Sequence, residues 1–193
     1  STWERRTPMT DVDSIMMDNV KSKRDNAIMS FLAHAKEDKD KGRIVIIGGD
    51  FNEPSFLDWT EATKSSLDHN GLVIPWTVSI MLHANGYLDA YREIYPNPVT
   101  HPGITYPSDN PLMPTNKLSW TPEVDERERI DFIYYSPHKG LKVTDALIWG
   151  PKGSICRNER ITETSQDPFK MGKAIWPTDH KAVLVTFELN IDK

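Results

Sequence analysis

Apolar residues recur at helical spacing at Ala27, Ile28, Phe31, Leu32 and Ala35, with lysine, arginine and aspartate nearby. The pattern predicts an amphipathic helix ending near Ala35. The charged run KEDKDKG, closed by Gly42, is its expected stop. Ile44 to Ile47 is then an unbroken aliphatic run of strand length. Apolar side chains at successive positions imply burial on both faces, so this strand is expected at the centre of a layered α/β fold. It runs into Gly48, Gly49, Asp50 and Asn52 with nothing apolar to cover them. A strand that ends in a carboxylate and a carboxamide reads as a place where something is bound.

Ser55 and Asp58 have capping-box spacing, which predicts a helix start. Val78, Met81 and Leu82 predict another helix, closed by Asn85–Gly86. Leu88 to Ile94 suggests a short third one. Residues 96–122 hold half of the fourteen prolines and read as a long irregular excursion. In RIDFIYY, Ile130, Phe132 and Tyr134 line one face of a strand, and Asp131, Ile133 and Tyr135 the other. Leu141 to Trp149 is expected to pair with it as a hairpin through Pro137 to Gly140. A second loop, 150–178, leads to a last strand from Lys181 to Leu189. No internal repeat or linker divides the chain, so residues 1–193 read as a single domain, with 1–15 expected to carry little fixed structure.

Composition narrows the function classes only slightly. The 193 residues are 38 % hydrophobic and 26 % charged, which suits a domain with a sizeable core. The net charge of −5 argues against a strongly basic surface for nucleic acid. It leaves room for an enzyme that meets a phosphate through a metal ion. The lone Cys156 excludes an internal disulfide. No apolar run is long enough to span a bilayer, and the polar start STWERRTPMTDVDS has no signal-peptide core.

Three acidic positions sit on strands or at their ends. Asp50 and Asn52 follow the Ile44–Ile47 strand. Asp131 lies mid-strand, an expensive place for a carboxylate without a partner. Asp179 and His180 immediately precede the last strand. A carboxylate can fix the tautomer and orientation of a histidine whose other nitrogen faces a substrate. Asp131 and His180 form such a pair if their strands are neighbours. Hard oxygen donors such as Asp50, Asn52 and Asp179 suit Mg²⁺ or Mn²⁺ better than zinc.

GGDFN, then ERIDFIYY, then PTDH before a terminal apolar strand together resemble the second half of the endonuclease/exonuclease/phosphatase superfamily of deoxyribonuclease I-like enzymes. With GGDFNEPSFLDWT, HPGITYP and WPTDHKAV, the likeness is greatest to bacterial members of undefined substrate, many of them exported. The resemblance implies the C-terminal half of a four-layer α-β-β-α sandwich: a mixed or antiparallel sheet with outer helices. It also implies a divalent-metal-dependent phosphoesterase in which an activated water hydrolyses a phosphodiester or phosphomonoester.

Carried over by position, Asp50 is the general base or the orienter of the attacking water. Asn52 contacts the scissile phosphate, Asp131 holds His180, and His180 binds the phosphate. Asp179, with Asp50, meets the metal, and Tyr106 of the Thr105–Tyr106 pair walls the substrate site. Family members also carry upstream strands ending in asparagine and in a metal-binding glutamate, for which this sequence has no counterpart. His34, late in a helix, does not replace them. The expectation is therefore a domain lacking its upstream metal-binding half, completed by that half or by a second copy through an uncovered sheet face. The alternative is a non-catalytic module that keeps the fold to bind a phosphorylated ligand or a protein. A small molecule, a lipid headgroup and a nucleic acid all remain open as the substrate.

Overall fold

The computed structural model describes residues 8–190. In chain order the elements are α1 (Val12–Val20), α2 (Arg24–Asp40), β1 (Ile46–Asp50), α3 (Thr77–Ala84), β2 (Leu88–Asp89), α4 (Ala90–Ile94), β3 (Asp131–Tyr135), β4 (Leu141–Trp149), β5 (Gly153–Cys156), β6 (Glu159–Thr162), β7 (Phe169–Lys170) and β8 (Ala182–Leu189). Part of the 1–15 stretch expected to lack structure lies outside the described residues. The rest carries the start of α1, because the Asp11 carboxylate accepts the Ser14 N–H at 2.9 Å and Ile15 is buried with Trp59, Ile74 and Trp76.

Helix α2 runs past Ala35 through the charged segment that was expected to end it. Lysine–acid pairs at i,i+4, Lys36 with Asp40 and Glu37 with Lys41, support those last turns. Strand β1 is displaced too: it begins at Ile46 and continues through both glycines to Asp50. Gly49 takes a φ of +149°, a conformation that L side chains rarely adopt, and so lets the ladder reach Asp50.

One sheet has the order β1-β3-β2, all antiparallel, with Ile46 opposite Tyr135 and Asp50 opposite Asp131. Phe132 and Tyr134 on one face pack against Ile28 and Ala35 of α2 and Val78 and Leu82 of α3. The central, doubly covered position expected for the first strand is therefore corrected. Among the described residues β1 is an edge strand, and Ile46 is 50 % exposed on the face away from the helices.

The second sheet has the order β7-β4-β8, with β8 antiparallel to the whole of β4. Helix α4 covers β4 through Ala90 and Tyr91, which pack near Val143, Ala146 and Ile148. The expected β3–β4 hairpin does not form, because both edges of β3 are already taken by β1 and β2. The expected helix at Ser55 is a series of turns, since the Asp58 carboxylate is drawn to Arg92 and Arg129 instead. Leu88–Ile94 divides into β2 and α4, with the Asp89 carboxylate capping the latter through Tyr91 and Arg92 N–H. Within 150–178, read as loop, β5 and β6 form a hairpin whose turn residues Arg157 and Asn158 both have positive φ, the pattern of a two-residue type I′ turn. The result is antiparallel and mixed sheets with helices packed against them, the elements of a layered α/β sandwich.

Candidate active site

Cross-strand pairing assembles the site. Asp50 and Asp131 are direct partners on neighbouring antiparallel strands, so their carboxylates share a face. It is the face opposite α2 and α3, and like charges there are destabilising without a compensating partner. His180, just before β8, supplies it: its Nδ1 lies 2.9 Å from Asp131 Oδ2. An ionised carboxylate only accepts, so Nδ1 carries the proton and Nε2 is left for another partner. The hydrogen bond to Asp131 holds the His180 imidazole above its ordinary value against the effect of partial burial. The charges of Asp131, Asp50 and Asp179 add to the rise.

Asn52 fixes the other carboxylate. Its backbone N–H donates to Asp50 Oδ1 at 2.7 Å and its side-chain amide to Oδ2 at 2.8 Å. This clasp requires a φ of +49°, which asparagine tolerates better than most residues. The next residue, Glu53, is buried and turned to structural partners. It accepts the Val78 N–H at the start of α3 and the Asn19 amide, each at 2.7 Å. Burial pushes its carboxyl up, while those two donors and Arg24 pull it down.

Thr105 joins the pieces. Its buried hydroxyl accepts the N–H of Ile130 at 3.1 Å and of Asp131 at 3.2 Å. Its carbonyl accepts the Lys181 N–H at 2.7 Å, one residue past His180. Trp176 Nε1–H donates to the His180 carbonyl at 2.7 Å, and the Tyr106 ring lies 4.9 Å from the imidazole, tilted by 41°. Beneath β3, Arg129 is fully buried and bridges Asp58 and Asp89. Burial alone would raise the Asp58 carboxyl, but Arg129 and Arg92 hold it below its ordinary value.

Asp50, Asp131 and His180 each offer one ligand atom, all within 4.8 Å of one another. With His180 Nδ1 committed to Asp131, the donors left are Nε2 and the carboxylate oxygens, and the oxygens suit a hard divalent cation. Asp179 stands outside this group: its carboxylate accepts from the Thr178 hydroxyl at 3.2 Å, and its carbonyl accepts the Ser108 N–H. Asn52, Tyr106 and His180 open onto a cleft of about 500 Å³ that Ile15, Trp76, Trp120 and Glu126 also line. His34 is exposed and bonded to the Ser30 carbonyl, away from the site.

Of the expected site residues Asp50, Asn52, Asp131, His180, Tyr106 and Asp179, the fold gathers the first five. Thr105, Trp176 and Arg129 take parts for which no expectation stood, although Thr105 lies beside Tyr106, Trp176 opens WPTDHKAV and Arg129 stands two positions before Asp131 at a strand entrance. Residues 18–180 match the model of the endonuclease/exonuclease/phosphatase family. A stretch of 145 residues is 44 % identical to an uncharacterized protein of Caenorhabditis elegans, covering 74 % of this chain and 40 % of that protein. The chain thus spans less than half the length of that relative.

Proposed function

Because this chain belongs to the endonuclease/exonuclease/phosphatase family, we propose that Asp50, Asn52, Asp131 and His180 are the hydrolytic half of a divalent-metal-dependent phosphoesterase centre. The observation that carries this reading is the convergence of Asp50, Asp131 and His180 on one sheet face. A structural ion pair has no need of the Asn52 clasp or of a free Nε2 opening onto a cleft.

Water attacks phosphorus and loses a proton. The ester P–O bond breaks and its electron pair leaves with the alkoxide, which takes a proton from solvent and departs as the alcohol. Asp50, held by both Asn52 donors, orients that water and accepts its proton. His180, kept protonated by Asp131, places an N–H of its imidazolium on a phosphoryl oxygen and stabilises the charge that grows there. Asn52 turns toward the phosphate from the same loop, and Tyr106 walls the position of His180. A bound Mg²⁺ or Mn²⁺ would neutralise the phosphate and favour ionisation of the water. Asp50 would be one of its ligands, and Asp179 is proposed to approach it.

The remaining metal ligands belong on this reading to polypeptide upstream, which would pair with the free edge of β1. The unpaired edge of β1 among the described residues and the half-exposed Ile46 support that completion. The test is Mn²⁺ binding followed by paramagnetic resonance, with the chain alone, the chain with an upstream half, and Asp50→Asn. Binding that tightens with the added half and weakens in the variant is expected. Binding indifferent to Asp50 would remove this residue from the metal site.

A further inference from the structure

Trp120 stands apart from the core tryptophans. Trp59 and Trp76 are 4 % and 6 % exposed and serve the core, whereas Trp120 is 81 % exposed at the edge of the catalytic cleft. Its own packing does not hold it there. The Trp120 N–H donates to Glu126 Oε1 at 2.7 Å and the Thr121 N–H to Oε2 at 3.0 Å. Glu126 is 5 % exposed. A buried acceptor thus fixes the backbone and leaves the indole bare, on the same cleft as Asn52, Tyr106 and His180. An indole presented this way offers a flat apolar face to a ligand that enters the cleft.

Charge restricts that ligand further. Among the described residues the lining carries the acids Asp18, Glu126 and Glu128 against the cations Lys21 and Arg24. Lys21 already lies 3.3 Å from Asp18, and Arg24 donates to Asn19. Among the described residues, and before any metal is bound, the lining therefore offers no side-chain positive charge in surplus for phosphates beyond the one at His180. Resting on the phosphoesterase reading above, we infer that Trp120 is a specificity-determining residue that stacks on a planar ring in a mono-anionic or di-anionic phosphate ester, and that the cleft discriminates against polyanions.

The experiment measures binding, so it does not depend on turnover. Affinities of the chain for phenyl phosphate, adenosine 5′-monophosphate, glycerol 3-phosphate and adenosine 5′-triphosphate are compared by calorimetry. The two ring-bearing monophosphates are expected to bind roughly tenfold or more tightly than the ring-free ester, and the triphosphate no better than the monophosphate. A preference for one ring-bearing ester over the other tells a simple aryl group from a nucleobase. Trp120→Ala should erase the preference with no loss of thermal stability, Trp120→Phe should keep most of it, and Leu112→Ala, an exposed change in the same excursion, should leave it intact. Equal affinities for ring-bearing and ring-free esters, or a preference that survives Trp120→Ala, would overturn the inference. So would tighter binding of the triphosphate. Ring binding by a chain that hydrolyses no ester even when reassembled with an upstream half would sink the phosphoesterase reading alone. Hydrolysis indifferent to the ring would sink only the role of Trp120.

Discussion

The Nδ1 of His180 lies 2.9 Å from Asp131 Oδ2, although the two residues are 49 positions apart, one on the first sheet and the other just before the last strand of the second. This contact ties the end of the second sheet to the first and sets which imidazole nitrogen carries the proton. It also stabilises the imidazolium, so the protonated form survives to higher pH than in a free histidine. Asp131→Asn removes the charge that raises the imidazole. The basic limb of the pH–activity profile of the completed enzyme should move to lower pH, with kcat/KM falling on the order of 10²-fold. A basic limb that stays in place would mean that His180 is not the group being read.

Asn52 and Asp50 form a closed unit within one loop. Asn52→Ala deletes the amide that holds Asp50 Oδ2 and places alanine at a φ of +49°. Activity is expected to fall about 10²-fold or more, with a loss of stability of only about 1 kcal/mol. Asn52→Gly, which relieves the backbone but still lacks the amide, should recover the stability and none of the activity. Recovery of both would reduce Asn52 to a turn residue.

Thr105 acts through others. Thr105→Val leaves the buried N–H groups of Ile130 and Asp131 without their acceptor, at a cost of about 1–3 kcal/mol in denaturant unfolding. Thr105→Ser should restore both stability and activity. Full activity in the valine variant would show that Asp131 is held well enough by its strand partners alone.

Lys181 is fully buried, and its Nζ donates to Ser154 Oγ at 2.6 Å. Burial holds the amine down to about 8, against the pull of Glu163 and Asp167. Between that value and about 10.5 the unfolded chain binds more protons than the folded one. Stability should therefore rise with pH over that window and be flat in this respect below it. At about 1.4 kcal/mol per pKa unit the rise is on the order of 3 kcal/mol. Urea unfolding at pH 7.5 and 10.5 should show it in the wild type and not in Lys181→Met. Parallel profiles would place the amine in contact with solvent.

Much of this was legible in the sequence for definite reasons. The helix at Val78 and the strands at Leu141 and Lys181 follow from side-chain period, which local physics fixes. The pairing of Asp131 with His180 could be read because both positions flank strands and a carboxylate there needs a partner. What failed depended on non-local competition. Ser55 and Asp58 look like a capping box until two buried arginines claim the aspartate. Strands β3 and β4 look like a hairpin until β1, β2 and β8 take their edges. The turn at Arg157–Asn158 lacks the glycine that usually marks a type I′ hairpin. Ile44 to Ile47 read as doubly buried because its composition suits a central strand, and Ile46 is nonetheless bare. That mismatch between sequence and cover is what the proposed upstream half would resolve.

The most direct measurement is Mn²⁺- and Mg²⁺-dependent hydrolysis of bis(p-nitrophenyl) phosphate and p-nitrophenyl phosphate. The chain would be assayed with a polypeptide covering the upstream half, beside its His180→Ala variant. Metal-dependent turnover that requires the added half and falls at least about 10²-fold in the variant is the predicted result. Turnover that persists at the wild-type rate in His180→Ala, or its complete absence in a folded, reassembled domain, would contradict the assignment of Asp50, Asp131 and His180 as a hydrolytic centre.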